Sequence, residues 1–183
     1  MAEQQFTIRE GIQRVVDGGV LSQAEASTIM DQIMTGQTTG AQIGALVTAL
    51  RMRGETIDEI AGFASAMRSH ALRVNLDLDG GPVVDTCGTG GDAAGTFNIS
   101  TTASFAIAAA GVRVAKHGNR AMTSKCGSAD LLEALGVRIE LTPTEVEDCI
   151  DAVGIGFMFA PAFHPAMRYV GPSRREIGIR TVF

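Results

Sequence analysis

The chain has 183 residues, of which 45% are apolar and 19% are charged. This length suffices for one sizeable domain, or for one domain with a small module, and the apolar content argues against a disordered chain. The formal net charge of −5 excludes a generally basic surface for nucleic acid, but it leaves room for a small anion held by local amides and a few cations.

The cysteines and the apolar runs indicate the cellular compartment of the protein. Cys87, Cys126 and Cys149 are odd in number and lack the spacing of metal ligands, which is typical of reduced thiols in a cytoplasmic protein. The sequence shows no pattern of a signal peptide, and the apolar run 104–111 is too short to cross a bilayer. We therefore expect a cytoplasmic protein.

The first 75 residues contain signals for helices only. Capping boxes, in which a Thr or Ser and the Glu three residues later bond each other's amides, open helices at Thr7, Ser22 and Thr56. Another helix, with apolar residues at helical spacing, lies before Thr56 and ends by Gly54. We predict an all-helical module over residues 1–75. Its small residues permit close approach between helices or between subunits; they are Gly44, Ala45, Ala49, Gly62 and Ala66.

Residues 76–183 change to short β-branched runs that alternate with helical segments. Such alternation favours right-handed crossovers between parallel strands, with helices flanking the sheet. We predict an α/β chain, in which the helical module is followed by an incomplete, mostly parallel sheet. The predicted strands are 82–87, 112–115, 137–139 and 155–159, and the predicted helices are 100–110, 129–135 and 143–153, the last with Thr142 as its N-cap.

A glycine-rich segment, GTGGD at 88–92, directly follows the first predicted strand. Glycine permits positive φ angles and close backbone approach, so several amides can turn toward one anion. The helix expected near Ser100 aims more unpaired amides at the same region, and Asn98 and Thr101 add short polar side chains. A tight turn between a strand and a helix explains the glycines about as well as a phosphate site does.

A second polar segment, Lys116-His117-Gly118-Asn119, follows the next predicted strand. Loops after neighbouring parallel strands lie at the same carboxyl edge of the sheet, where ligands bind. One cation, one imidazole and one amide around a glycine would complete a cradle for an anion and hydroxyl groups. Alone, Lys116 is explained as a surface charge and His117 as a helix cap; together with the glycine loop, they favour a binding site.

These segments belong to an ordered set of motifs that resembles the anthranilate phosphoribosyltransferase family of tryptophan biosynthesis. The resemblance covers nearly the whole chain and implies a fold of the nucleoside phosphorylase/phosphoribosyltransferase type. The motifs, in chain order, are GTGGD at 88–92, NIST at 98–101, KHGN at 116–119, SKCGSAD at 124–130, LEALGV at 132–137, FAP at 159–161, HPAM at 164–167 and IGIRT at 177–181.

The resemblance implies a reaction and a donor site. Members of the family transfer a phosphoribosyl group from 5-phosphoribosyl diphosphate to the amino group of anthranilate and release diphosphate. Asp92 is implied as a proton acceptor late in this reaction. The residues implied for the donor are Gly88, Gly90, Gly91, Asp92, Thr96, Asn98, Ser100, Thr101, Lys116, Asn119, Thr123, Ser124 and Gly127.

The resemblance also implies an acceptor site. Arg174 matches the arginine that holds the anthranilate carboxylate, although as a residue of the pair Arg174-Arg175 it is explained equally as a surface cation. The other implied contacts of anthranilate are Gly88, His117, Asn119 and His164. His164, before a proline in an apolar context, is also explained as a structural histidine.

The resemblance also bears on magnesium binding and on how much of the enzyme this chain contains. The resemblance implies Mg2+ reached by Ser100, and a homodimer formed through the helical module. Family members are roughly twice as long and bind a second magnesium with an adjacent acidic pair. The pair in this chain, Asp58-Glu59, lies in the first turn of a predicted helix, where the helix dipole explains it better. We therefore expect this chain to be an N-terminal portion of such an enzyme, with part of the sheet and of the metal site outside it.

Two other functions stay open at this point. A pyrimidine nucleoside phosphorylase shares the architecture and an anion loop, but we expect its Lys and Ser to be spaced differently around the phosphate; the KHGN segment and Arg174 favour the transferase. A non-catalytic module that only binds a ligand or a partner is the second alternative.

Overall fold

The computed structural model describes residues 6–77, 81–88, 96–121 and 125–183. The chain divides into two compact units. The helical unit runs through Ala71 and includes Pro165–Phe183, and the sheet unit is Leu72–His164. The predicted α/β class, a helical module followed by a small parallel sheet with helices, is confirmed. The predicted domain boundary at residue 75 stays a prediction, and the compact helical unit includes a C-terminal segment that we had assigned to the sheet domain.

The helical unit begins with α1 (Ile8–Val16), α2 (Gln23–Met34), α3 (Gly40–Arg53) and α4 (Ile57–Ser69). The three predicted capping boxes are confirmed, at Thr7, Ser22 and Thr56. A fourth box at Thr39, with Gln42 as the returning side chain, opens α3. Each box satisfies amides that the helix itself leaves unpaired, so the starts of these helices are local features of the sequence.

The core of the helical unit lies between these helices, with Ile29, Met30 and Leu46 fully buried. A Cβ atom on Gly62 of α4 would lie 2.3 Å from the carbonyl oxygen of Gln23. Glycine is therefore required for α2 and α4 to approach this closely. The small residue at this position serves packing within the unit.

The C-terminal segment of the helical unit consists of a 3-10 helix (Pro165–Tyr169) and a short α-helix (Gly171–Ile177). Val170 is fully buried, and the ring of Phe183 packs edge-on against Phe63 with 5.3 Å between centroids. These apolar contacts join residues 165–183 to the first four helices.

The sheet unit contains three parallel strands in the order β1 (Val83–Val84), β2 (Arg113–Gly118) and β3 (Ile155–Phe159) among the described residues. Val84 pairs with Val114, and Gly118 pairs with Phe159. The helices of this unit are α5 (Ile99–Ala109), α6 (Ser128–Ala134), α7 (Pro143–Val153) and α8 (Ala160–Phe163), so the helix in the C-terminal segment is α9. The predicted parallel sheet is confirmed, as is α7 with its Thr142 cap.

Three details of the predicted sheet were wrong. The first strand is shorter than 82–87, and β2 is longer than 112–115, because its pairing with β3 continues through Gly118. Residues 137–139 form no strand. Their chain instead returns to the end of α6, where the Val137 amide donates to the Leu132 carbonyl, and Ile139 is buried beside Leu132.

No described helix combines the length and the apolar content needed to cross a membrane.

Candidate functional site

The residues that follow β1 and the second polar segment lie at the carboxyl edge of the sheet. β1 ends at Val84 and β2 at Gly118, and because these strands are parallel neighbours, residues 85–88 and 116–119 lie along one edge. The Lys116-His117-Gly118 part of the second segment is the end of β2 itself, and only Asn119 follows it. Gly88 and residues 116–119 thus share this edge, as predicted, while residues 89–92 of the glycine-rich segment lie outside the described residues. The prediction that Lys116 follows the strand was wrong.

Lys116 is the central cation of this edge. Its Nζ atom donates to Thr86 Oγ1 at 3.3 Å and to Ser100 Oγ at 3.2 Å, and the residue is only 2% exposed. Burial lowers the pKa of Lys116, while the charge of Asp85 acts in the opposite direction. Within the described part of the chain, no carboxylate forms an ion pair with this ammonium group. A buried cation held by neutral hydroxyls favours an anionic ligand, because a bound anion offsets the cost of removing its charge from water.

The N-terminus of α5 lies beside Lys116, since Ser100 is in its first turn. Its N-cap residue, Asn98, makes no side-chain bond to the helix amides and instead donates to the carbonyl oxygen of Cys126 at 3.3 Å. Thr101 is 1% exposed, and its hydroxyl has no partner among the described residues. Uncapped amides at a helix N-terminus attract anions, so α5 adds to the positive potential of this edge.

Two histidines meet next to this cluster. The rings of His117 and His164 are perpendicular, with 5.3 Å between their centroids. Burial, and after it the proximity of His117, lowers the pKa of His164. The Nδ1 atom of His117 lies 3.9 Å from Cys87 Sγ, and its Nε2 atom is buried with no partner in the described part of the chain. The pair therefore presents an aromatic surface beside the Lys116 cluster.

The segment after β2 is folded tightly around Gly127. A Cβ on Gly127 would lie 2.4 Å from the Ala121 nitrogen and 2.6 Å from the Asn119 carbonyl oxygen. Asp130 closes this turn, because its Oδ2 atom accepts from the amides of Ala121 at 2.9 Å and Gly127 at 2.8 Å. These backbone bonds are the main reason that the pKa of Asp130 is lowered.

The predicted site residues fall into three groups. Those that the structure brings to this edge of the sheet unit are Gly88, Asn98, Ser100, Thr101, Lys116, His117, Asn119, Gly127 and His164, with Thr96 just before α5. Arg174 belongs to α9 of the helical unit, where it is partly buried. Gly90, Gly91, Asp92, Thr123 and Ser124 lie outside the described residues.

Sequence reasoning missed three polar residues of this edge. Thr86 and Asp85 come directly after β1, and Asp130 lies three residues after Gly127. Asp130 had a partial signal, since it lies three residues after the N-cap of α6 and its carboxylate accepts from the amide of that residue, Gly127. Asp85 and Thr86 had no such signal, because the sequence placed them within the predicted strand 82–87, and they bond to His117 and Lys116 of another strand.

The described residues hold no group of three or more His, Cys, Asp or Glu side chains that could bind a metal ion. Ser100, the predicted magnesium ligand, offers a hydroxyl oxygen, and this oxygen accepts a bond from Lys116. Mg2+ prefers oxygen ligands and is often held by substrate phosphates with few protein groups. One hydroxyl beside an anion site fits a magnesium ion that is bound mainly by its phosphate ligand.

Comparison with known proteins defines the class. The chain matches the model of the glycosyl transferase family, a/b domain, over residues 80–183, and that of the glycosyl transferase family, helical bundle domain, over residues 9–71. The chain therefore belongs to this glycosyl transferase family.

Individual relatives carry a more specific name. The chain is 64% identical over 178 residues to an anthranilate phosphoribosyltransferase of Chloroflexus aurantiacus, covering 97% of this chain and 52% of the relative. It is 62% identical over 176 residues to that of a Roseiflexus species, covering 96% of this chain and 51% of the relative. The chain thus spans about half the length of the curated relatives it matches.

Solved structures agree with these relatives. The anthranilate phosphoribosyltransferase of Thermus thermophilus matches with a TM-score of 0.78 at 46% identity, over 94% of this chain and 52% of that chain. The enzyme from Saccharomyces cerevisiae, in complex with PRPP and Mg, matches with a TM-score of 0.84 at 29% identity, over 96% of this chain and 52% of that chain.

Proposed function

We propose that this chain contributes the donor site of an anthranilate phosphoribosyltransferase. The enzyme would transfer the phosphoribosyl group of 5-phosphoribosyl diphosphate to the amino group of anthranilate and release diphosphate, as a step of tryptophan biosynthesis. One observation carries this proposal: the buried ammonium group of Lys116 is held by two hydroxyls at the carboxyl edge of a parallel sheet. The names of the relatives support the choice of substrates.

The donor would lie along this edge with its charged groups toward Lys116 and the N-terminus of α5. Buried cations and oriented amides suit phosphate oxygens. Thr101 has a hydroxyl available for such a ligand, since it has no partner among the described residues. We propose donor contacts for Gly88, Thr96, Asn98, Ser100, Thr101, Lys116, Asn119 and Gly127, and also for Gly90, Gly91, Asp92, Thr123 and Ser124.

The chemistry suits this set of residues. As diphosphate leaves, C1 of the ribose gains positive character, so the main demands are stabilisation of the leaving group and alignment of the acceptor. The ammonium group of Lys116 and the amides of α5 would meet the first demand. An aromatic amine is already neutral at pH 7, so attack needs no strong base beforehand. We propose Asp92 as the acceptor of the amine proton after attack.

Anthranilate would bind at the aromatic end of this edge. The perpendicular rings of His117 and His164 offer a half-buried aromatic surface, and the lowered pKa of His164 favours its neutral form. Gly88 and Asn119 would line the same pocket. We propose that Arg174 binds the anthranilate carboxylate, because a guanidinium group can hold both carboxylate oxygens at once.

Magnesium would enter with the donor. The Saccharomyces cerevisiae relative is named as a complex with PRPP and Mg. In this chain the Ser100 hydroxyl would supply one ligand, and phosphate oxygens and water would supply most of the others. When bound, the ion would neutralise charge on the departing diphosphate.

We further propose a cytoplasmic homodimer that associates through the helical module. Ile57 and Met52 of the helical unit are 86% and 84% exposed, and such apolar side chains suit a subunit interface. Cys87 and Cys149 form no disulfide, which suits a reducing compartment. We propose domains at 1–75 and 76–183. Sedimentation of the intact protein would test the dimer, and a monomer would refute it.

Loss of anthranilate fluorescence tests the reaction. We expect the intact protein to consume anthranilate only when both 5-phosphoribosyl diphosphate and Mg2+ are present, and to leave thymidine intact in the presence of phosphate. Phosphorolysis of thymidine without consumption of anthranilate would indicate a nucleoside phosphorylase. Magnesium-dependent binding of the donor without turnover would indicate a binding module. Either result would refute the proposed transfer.

A further inference from the structure

Asp85 connects the loop after β1 to the strand that carries Lys116 and His117. It is the first residue after β1, and its Oδ1 atom accepts two backbone hydrogen bonds. One comes from the amide of Cys87 at 2.8 Å, within its own loop. The other comes from the amide of His117 in β2, at 3.3 Å. A single carboxylate oxygen therefore connects the loop after β1 to the neighbouring strand.

The position of His117 in β2 explains why a side chain makes this bond. The amide of Val114 donates to the carbonyl of Gly154, on the side of β3. Successive amides of a strand point to alternate sides, so three residues later the amide of His117 points toward β1. The pairing of β1 with β2 is described only as far as Val84 and Val114. The Asp85 side chain thus takes the place of a ladder partner beyond the end of β1.

The neighbouring residue strengthens this connection. Thr86 Oγ1 donates to the carbonyl oxygen of Ser100 at 2.9 Å and accepts from Lys116 at 3.3 Å. Residues 85–87 are consequently tied to β2 by Asp85, and to both β2 and α5 by Thr86. The next residue, Gly88, begins the glycine-rich segment. These bonds therefore hold the chain as far as Cys87, directly before Gly88.

We propose that Asp85 is a positioning residue for the donor site, which holds the start of the glycine-rich segment in register with Lys116 and His117. This inference rests on the proposed binding of 5-phosphoribosyl diphosphate. The role belongs to the acceptor oxygen and not to the charge, because a carboxylate close to bound phosphates repels them. Asparagine keeps an acceptor oxygen at the same place without the charge, so it separates the two effects.

Binding of 5-phosphoribosyl diphosphate to variants of the intact protein tests the role, with amide hydrogen exchange as a second measurement. Asp85→Ala removes both bonds, and we expect the Kd to rise about tenfold, which corresponds to about 1.4 kcal/mol. We also expect faster exchange at the Cys87 and His117 amides. Asp85→Asn should bind at least as tightly as the unaltered protein. Asp151→Ala, which removes an exposed carboxylate of α7, is the matched control and should change neither measurement.

A serine variant covers the case in which Asp85→Ala does not fold. The shorter side chain of Asp85→Ser can still accept from Cys87 but does not reach His117. We expect a weaker rise in Kd and faster exchange at His117 alone. Equal losses in the Ala and Asn variants would overturn the proposal, because they would assign the effect to charge. Unchanged binding by the Ala and Ser variants would overturn it as well.

The binding measurements distinguish a wrong proposal for the donor site from a wrong proposal for Asp85. If the unaltered protein does not bind 5-phosphoribosyl diphosphate, the proposed function is refuted, and the role of Asp85 with it. If the unaltered protein binds and Asp85→Ala binds equally well, only the positioning role is refuted.

Discussion

The Nζ atom of Lys116 lies 3.2 Å from the hydroxyl oxygen of Ser100, in a place where Lys116 is 2% exposed. A buried ammonium group that forms no ion pair in the described part of the chain is unfavourable for folding and favourable for binding an anion. We expect Lys116→Met to keep the free energy of unfolding within about 1 kcal/mol of the unaltered protein, or to raise it. Donor binding should weaken at least about tenfold. Denaturant unfolding and a binding titration check the two parts, and unaltered binding would contradict the assigned role.

Substitutions at two glycines of the site should separate effects on stability from effects on donor binding. A Cβ on Gly88 meets nothing within 4 Å among the described residues, whereas on Gly127 it meets backbone atoms at 2.4 Å. We expect Gly88→Ala to keep its melting temperature and lose donor affinity, because only the ligand needs that space. Gly127→Ala should lose both, since the 119–121 backbone must move. Thermal melting with a binding titration distinguishes them, and a destabilised Gly88→Ala would show that its space is needed for folding.

Substitutions of two adjacent arginines in α9 test the proposed contact with anthranilate. Arg174 is partly buried and Arg175 is exposed. If Arg174 binds the anthranilate carboxylate, Arg174→Met should raise the KM for anthranilate at least about tenfold, because a charge-assisted pair is lost. The KM for the donor should stay unchanged. Arg175→Met removes the same charge one residue away and serves as the control. Equal effects of both substitutions would indicate a general electrostatic contribution.

Glu59 is a buried carboxylate that bonds to several parts of the helical unit. It is fully buried, accepts from the amides of Leu21 at 2.9 Å and Thr56 at 2.8 Å, and pairs with Arg53. Glu59→Ala leaves these donors unpaired, so we expect a loss of about 3–5 kcal/mol in the free energy of unfolding. Asp58→Ala, on the exposed side of the same turn, should cost less than about 1 kcal/mol. Urea unfolding measures both, and similar values would contradict the role of Glu59.

The lowered pKa of His164 should make the stability of the protein depend on pH. Because the pKa of His164 is lowered by burial and then by His117, the folded protein binds fewer protons at this site than the unfolded chain. The contribution of His164 to stability should therefore be complete above the pKa of the unfolded chain and decrease as the pH falls below it. His117→Asn should raise the pKa of His164 only in part, since burial is the larger cause. NMR titration of the ring protons measures this pKa, and full recovery of the usual value would contradict the order of the causes.

Local patterns were predictable from the sequence, and patterns that depend on a partner strand were not. The boxes at Thr7, Ser22 and Thr56 involve residues three apart, and each forms as predicted. Val137 and Ile139 have β-branched side chains, but strand formation requires a neighbouring strand. Here the Val137 amide instead bonds to the end of α6. The same dependence lengthened β2, whose pairing with β3 includes Lys116 and His117.

By itself, the sequence determined the helix starts of the first unit, the alternation that produces a parallel sheet, and the two polar segments at its carboxyl edge. These properties depend on residue type and short spacing along the chain. Only the tertiary structure decided that Lys116 is buried between Thr86 and Ser100, and that Asp85 bonds to the amide of His117. Those contacts join residues 16 to 32 positions apart. Burial and hydrogen bonding at such separations follow from strand register and helix packing, which no local pattern specifies.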